Sequence, residues 1–507
     1  VTTVRNATPR VFVWVTDDRS DVYDLSAECV SFTADKGIQG GAGSWSVVLL
    51  PRDTPDHKQA ANLNRYESIY QAIGPNTPIS IGFDVPGGIT FGFVSRVSRS
   101  RSRIGQRIRK TIKLSGMDMG KILVNDHIVK AFLTVNGERV FRSDVEEAFG
   151  PGHPLLMNLP GTWGPATGVG EQASNLFSGA TLKDVADWIL DACPSMRFPL
   201  LKGPFAGQTG EVREIISTVN VVGGWGDQRI YSETPRNFQG TIWGFLNSIV
   251  DSDFYEVRID TKPRDDDPIP EIHLILRPKP FDEPALDFAP VVEQSAGWDG
   301  LTTFVTHPDK NHVIEERHVV SDDLGYGDSE ALSYYLTTSQ HALVGNEAML
   351  EEGIFFPLLD LWAAGKFGMR SYQSGLTLIG GDVASKVDGV SADDVGGEVR
   401  EFRNRLFNWY RLNPFFESGS MTVVGADHYR VGDPVLLPWA TPSRGERADG
   451  VRFYCTGVTH RWSYGQHYLT TLRLERGHND SMVETLKAEI KATAPTLNPQ
   501  NYTFVDP

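Results

Sequence analysis

Cysteine is scarce in this chain, and so are the residues in pairs or spacings that carry chemistry. Only Cys29, Cys193 and Cys455 occur in 507 residues. Three widely separated thiols supply neither a disulfide framework nor a paired zinc spacing, and they read as reduced core thiols in a cytosolic assembly environment. Long apolar runs are missing as well. The most apolar stretch, Ile354–Ala364, is broken by Pro357 and Asp360, well below the ~18 residues that span a bilayer. No basic segment followed by an apolar one opens the chain, so the reading is a chain soluble when made, with no membrane insertion. Positive charge is in deficit: 48 Lys and Arg against 64 Asp and Glu give a net charge of −16. A protein that coats nucleic acid with its whole surface needs the opposite balance.

Chemical signatures fail in the same way. Gly37, Gly40, Gly41 and Gly43 lack the GxGxxG spacing and read as a hairpin loop. Gly116–Lys121 looks like a short phosphate loop, but Ile122 stands where a magnesium-binding Ser or Thr belongs. Asp265–Asp267 has no DxDxDG continuation. His307, His312 and His318, with Glu315 and Glu316, do not form HExxH. A hydrolase needs paired carboxylates or a Cys–His pair in a cleft, and no segment ties two such groups to one site. The expectation is no catalytic residue, no cofactor and no metal.

What is present is β-forming material. Fifty Gly and 30 Pro break helices, while 11 Trp, 15 Tyr and 26 Phe supply cores, which suits short strands joined by turns. The fold class expected is mainly β with α+β insertions, built on two similar small antiparallel β-barrels of tube type plus helix-containing insertion domains. The clearest stretch is Tyr429–Gly477. Apolar and polar residues alternate through Phe453–Trp462 and Tyr468–Leu474, and Ser463, Gly465 and Gln466 supply the turn between them.

That stretch has an earlier counterpart. Ile81-Gly82-x-x-Val85 matches Val431-Gly432-x-x-Val435. Phe93–Ser98 matches Tyr454–Thr459, and Thr111–Leu114 matches Thr471–Leu474, in the same order. Self-similarity of this kind points to two related units in one chain.

Between the last two blocks of the first copy lies a local basic field. Arg96–Lys113 holds eight basic residues and no acidic one. Arg99, Arg101 and Arg103 recur at period two before the turn Ile104-Gly105-Gln106, and Arg107 and Arg109 follow it, so the five are expected to project from one face of a hairpin. A solvated face, an acidic protein partner and nucleic acid are the three uses open to it.

Helical periodicity marks Leu63–Ile73, a helix opening at Thr181, Thr241–Val250, an apolar helix or helix pair in Asn346–Gly368, Val399–Leu412, and Ser481–Ala494 with Asp480 as its cap. Strands FYEVRID and EIHLILRP flank the acidic loop RDDDPIP, and Leu301–Val320 reads as a further strand run. The expected domains are a first tube-type barrel at 1–121, a helix and loop insertion at 122–235, and a helix-plus-hairpin subdomain at 236–288. A second tube-type barrel comes from 289–322 and 398–477, interrupted by a helical insertion and linker at 323–397. A C-terminal helix and extended arm occupy 478–507. Tyr502, Phe504 and Val505 make that arm either disordered or a docking element for a neighbouring subunit.

Four pieces, in order, resemble the baseplate hub proteins of contractile phage tails, including late control protein D and the hub part of type VI secretion spikes. They are TIWGFLNSIVDSDFYEVRID with EIHLILRPKPF, the run near Leu301–Val320, the FGMRS segment at Phe367–Ser371, and FNWYRLNPFFESGSMTVVG through YRVGDPV to FYCTGVTHRWSYGQHYLTTLRLERG. The 122–235 insertion matches nothing in that family. The resemblance implies a structural, non-enzymatic protein, a homotrimer whose two barrels per chain give pseudo-six-fold symmetry. Such a ring joins a six-fold tail tube to a three-fold central spike. The implied partners are the tail tube or distal tube protein, the spike, other baseplate subunits, and tape-measure protein and DNA passing through the lumen. The implied place is the virion tail baseplate, assembled in the host cytoplasm. Arg99–Arg109 would then contact tube or baseplate neighbours. The alternatives are a peptidoglycan-degrading tail hydrolase and a nucleic-acid-binding module using the Arg96–Lys113 hairpin.

Overall fold

A computed structural model describes residues 8–15, 22–38, 40–51, 65–83, 87–104, 107–125, 127–128, 134–135, 138–139, 147, 216–219, 229–230, 240–250, 255–264, 267–278, 312–339, 357–376, 378–379, 399, 403, 406–407, 409–445 and 450–493. The helix expected at Thr181, Cys193, His307 and the arm residues Tyr502, Phe504 and Val505 lie outside these residues.

Alternating sequences produce one large sheet of 13 strands. Its first half comprises β1 (Arg10–Trp14), β2 (Val22–Asp24), β3 (Cys29–Gly37), β4 (Ser44–Leu49), β5 (Pro78–Gly82), β6 (Thr90–Ile104) and β7 (Arg107–Asp118). Helix α1 (Arg65–Ala72) and the short helix α2 (Lys121–Asn125) accompany them, and α1 falls within the predicted Leu63–Ile73. Helix α3 (Ile242–Ile249) is capped by Thr241, whose hydroxyl accepts from Gly244 N at 3.0 Å. It leads to β8 (Tyr255–Arg264) and β9 (Asp267–Pro278), an antiparallel pair. Strand pairing resumes at Asp267, so the expected acidic loop is shorter than its sequence suggested.

The second half of the sheet comprises β10 (His312–Val313), β11 (Val319–Gly325), β12 (Glu417–Val424), β13 (Pro434–Leu437), β14 (Val451–Ser463) and β15 (Leu469–His478). A 3-10 turn at Glu316–His318 splits the expected Leu301–Val320 run into β10 and β11. The apolar stretch after residue 346 is described from Pro357 on. There Leu358–Leu359 forms a short strand before α4 (Leu361–Phe367), because Asp360 caps at that point and starts the helix. Helix α5 (Asp480–Thr493) is capped by Asn479, whose Oδ1 accepts from Met482 N at 2.8 Å. Asp480 is therefore its first residue and not its cap. Met482, Val483, Leu486 and Ile490 of α5 pack with Trp362, Phe415 and Phe416.

Strand order runs β11-β12-β15-β14-β3-β4-β7-β6-β5-β1-β2, with β13 beside β14 and β10 beside β13. Among the described residues this path is open, and the expected barrel closure is not among its pairings. Each half has its own core. One gathers Val11, Val13, Phe32, Trp45, Val47, Ile79, Ile81, Ile112 and Leu114. The other gathers Met421, Val423, Val431, Val435, Leu437, Phe453, Leu472 and Leu474.

The two halves repeat one another strand for strand. Order β3-β4-β7-β6-β5 in the first is order β11-β12-β15-β14-β13 in the second. A 3-10 turn precedes β3 at Ser26–Glu28 and β11 at Glu316–His318. The same irregularities recur. A β-bulge falls between Cys29 and Ser31 against β4, and another between Val319 and Ser321 against β12. A second falls between Val94 and Arg96 against β7, and again between Cys455 and Gly457 against β15. Bulges fix register, so two shared bulges establish residue equivalence.

Register corrects two of the three sequence matches. Phe93–Ser98 does correspond to Tyr454–Thr459. With Val94 equivalent to Cys455, however, Pro78-Ile79 corresponds to Pro434-Val435, because Pro78 pairs with Phe93 and Pro434 with Tyr454. Leu114 corresponds to Leu472, since they pair with Val97 and Val458. The turn entering β5 and β13 is also shared. Asn76 N donates to Val94 O at 2.7 Å, and Gly432 N donates to Cys455 O at 2.6 Å. Both residues are left-handed, at φ 62° and 85°, where Asn and Gly are the residue types that fit.

Candidate partner interface

The halves meet where β14 pairs antiparallel with β3, from Gly457 opposite Gly37 to Ser463 opposite Ser31. On the core face, Phe32 stacks on Trp462 with centroids 6.3 Å apart, Phe83 stacks on Tyr468 at 4.1 Å, and Phe83 meets Trp462 edge-on at 6.0 Å. A polar chain backs these rings. Phe83 N donates to Asp427 Oδ2 at 2.6 Å and Tyr468 Oη donates to Asp427 Oδ1 at 3.1 Å, while the Tyr468 hydroxyl lies 2.8 Å from His460 Nδ1. Burial, aided by Arg430 and His428, pushes His460 down to about 3. It is therefore neutral at pH 7.

At the other end of the joint, Arg473 crosses the paired glycines. Its Nη2 donates to Lys36 O at 2.9 Å and its Nη1 meets Asp35 at 3.4 Å. A Cβ on Gly457 would sit 1.9 Å from Arg473 Nε, so this close approach needs glycine. Strand β8 docks against the same joint. Lys36 Nζ lies 3.2 Å from Asp260 and 3.8 Å from Asp118, and a Cβ on Gly432 would meet the Arg258 guanidinium at 2.4 Å. Burial alone would raise Asp260, but Lys36, Arg430 and Arg258 outweigh it and hold the carboxyl low. Burial wins at Asp118, which is raised.

Sequence reasoning missed this carboxylate pair because its members come from β7 and β8. The cavity beside them is about 30 Å³, room for one water and no sugar ring. A larger cleft, about 710 Å³, is lined by Glu330, Glu475, Arg473 and Arg476 among others. Burial and the neighbouring Glu475 raise Glu330 there. Elsewhere, His312 Nε2 bonds Asp433 at 2.6 Å, and no cluster with metal-binding composition occurs among the described residues. Cys29 and Cys455 are buried and free, both pushed up to about 12 by burial.

The arginine ribbon forms the outer part of β6 and β7. Its register overturns the one-face expectation. Arg103 pairs with Ile108, Ser102 with Arg109 and Ile104 with Arg107. Directly opposed residues share a face, so Arg99, Arg101 and Arg103 lie on one side, and Arg107 and Arg109 are placed on the other. Helix α1 holds the first set. Glu67 pairs with Arg99 at 2.9 Å and Arg101 at 2.6 Å. The Arg99 guanidinium lies over Tyr70 at 4.7 Å and that of Arg101 over Tyr66 at 5.7 Å. Arg99 and Arg101 remain 45% and 54% exposed, and Arg109 is exposed.

No protein-family model matches the chain, and no curated protein matches it. Among solved structures, it is similar over most of its length to tail proteins. A tail protein from Neisseria meningitidis MC58 matches at 12% identity and TM-score 0.44, over 94% of this chain and 97% of that one. The prophage MuSo2 43 kDa tail protein from Shewanella oneidensis matches at 11% and 0.45, over 92% and 98%. The E. coli c3393 protein, a component of the type VI secretion system with structural similarity to T4 bacteriophage tail proteins gp27 and gp5, matches at 7% and 0.37, over 90% and 74%.

Proposed function

We propose that this chain is the structural hub of a phage tail or a phage-like injection machine, working by geometry and not by catalysis. The observation that carries the reading is the duplication: one strand order, two bulges and one left-handed turn, each present twice. Three such chains in a closed ring display six similar units, so one side of the ring suits a six-fold tube and the other a three-fold spike. Each unit contributes a tube-type barrel, 1–121 and 289–322 with 398–477, and the ring encloses the channel. Net negative charge favours passage of DNA over its retention. The resemblance to hub proteins noted in the sequence points the same way. The outer ribbon, with Arg103, Arg107 and Arg109 toward its tip, serves contacts with tube or baseplate neighbours, and Tyr502, Phe504 and Val505 dock the terminal arm on an adjacent subunit.

Native mass determination of the purified full chain tests this reading. Three chains per particle is the expected result, and a single chain at every concentration refutes it. One observation favours a second reading, the Glu330–Glu475 cleft. Release of soluble fragments from purified peptidoglycan, abolished by Glu330→Gln, would establish a hydrolase instead.

A further inference from the structure

The internal joint specifies how a second copy can be added. Inside the chain, β14 of the second half pairs with β3 of the first. The equivalents of these strands are β6 and β11, and on each the corresponding edge carries no ladder among the described residues. Among the described residues β6 pairs with β5 only through Thr90–Phe93, which leaves Arg96–Ser102 without a strand on that side, as β14 would be without β3. Among the same residues β11 pairs only with β12. Resting on the ring reading above, we propose that β11 of one copy pairs antiparallel with β6 of the next, placing Asp322 opposite Arg101 and Asp323 opposite Ser100. The register follows from the internal joint residue by residue. Trp462 opposite Phe32 becomes Arg101 opposite Asp322, Arg461 opposite Thr33 becomes Ser100 opposite Asp323, and Ser463 opposite Ser31 becomes Ser102 opposite Ser321.

Charge supports this occupant. The stacked Phe32–Trp462 pair of the closed joint is replaced at the open edges by an acid on one strand and a base on the other. Asp322 and Asp323 are exposed and ion-paired to no described residue. In this register Arg101 faces Asp322 already oriented by Glu67 and Tyr66, with Arg99 one step along the same face. Charged edges keep isolated chains from pairing at random, while opposite signs on the two edges favour this one head-to-tail contact, the heterologous kind that closes rings. Val320, 55% exposed, precedes the acidic pair on β11, and Tyr326, 59% exposed, directly follows the strand. In this register Tyr326 lies opposite Val97.

Paired cysteines test the register in the full chain. Ser100→Cys with Asp323→Cys should link copies into species ending at three chains on a non-reducing gel. Ser100→Cys with Asp322→Cys, one residue out of register and on the wrong face, should not. Asp322→Arg should weaken each junction about tenfold or more by setting like charges opposite one another. If the wild-type ring forms but the in-register pair fails to link, or both pairs link equally, or Asp322→Arg assembles as wild type does, the pairing is wrong and the hub reading stands. A wild-type chain that never assembles overturns both.

Discussion

The two halves of the sheet share a plan and differ at their edges: the buried cores are repeated, and the charge along the outer strands is not. In the first half, β3 and β4 are joined by a short glycine-rich turn between Gly37 and Ser44. In the second, the equivalent β11 and β12 are separated by everything from Tyr326 to Phe416. The first half adds α1 and lengthens its β6–β7 hairpin into the arginine ribbon, whereas the β14–β15 hairpin turns at Gly465 soon after leaving the joint. Core positions are interchangeable between halves: Val94 and Cys455, Ile79 and Val435, Leu114 and Leu472 are all buried. Edge positions are not. The same site is Trp462 where the sheet is closed and Arg101 where it is open, so the fold is repeated and the charge pattern is specialised.

That contrast can be broken at its centre. Trp462→Ala removes a ring packed on Phe32 and Phe83 and should cost about 3–5 kcal/mol in equilibrium unfolding. Arg101→Ala, at the equivalent place, should cost at most about 1 kcal/mol in the isolated chain. Equal losses would mean that the two positions do not play the different parts assigned to them.

Acid should act on one half first. His428, His460 and His478 are pushed by burial to about 4, 3 and 3, and all belong to the second half. Each folded value lies below the ordinary 6.5, so the stability they contribute is fully present above pH 6.5. It is lost as pH falls toward pH 4 and 3, at up to about 1.4 kcal/mol per pH unit per histidine. Hydrogen exchange between pH 7 and 5 should show β12–β15 opening before β4–β7. Uniform opening would contradict this ordering.

A smaller contrast concerns the shared left-handed turn. Gly432→Ala must accept a strained φ and displace Arg258, for about 1–3 kcal/mol. Asn76→Gly should change stability by no more than about 1 kcal/mol. Thermal melts of the two variants make the comparison, and a large loss for Asn76→Gly would show that the two turns are not equivalent.

Much of this was legible in the sequence. Alternation located β6, β7, β14 and β15, helical spacing located α1 and α3, and the duplication was visible in the sequence itself. Its alignment was not. The corrected matches are displaced by two residues at Leu114 and six at Ile81. Both displacements are even, and a period-two pattern looks the same after an even shift. Bulges break that degeneracy, but Ser95 and Thr456 carry no mark of being bulged. The same limit hid the two faces of the ribbon, which depend on the register across Gly105-Gln106. The joint was hidden for another reason. Phe83 and Asp427, Lys36 and Asp260, and Phe32 and Trp462 are brought together by the meeting of β3 and β14, and local periodicity says nothing about which strands become neighbours.

Under the proposed function, duplication within the chain becomes symmetry in the assembly. Electron microscopy of the purified full-length protein, averaged without imposed symmetry, measures this most directly. A ring of three chains with a central opening and six similar lobes is the expected result. A compact single-chain particle with no opening, or a ring in which the two halves of each chain do not occupy alternating equivalent places, would contradict it.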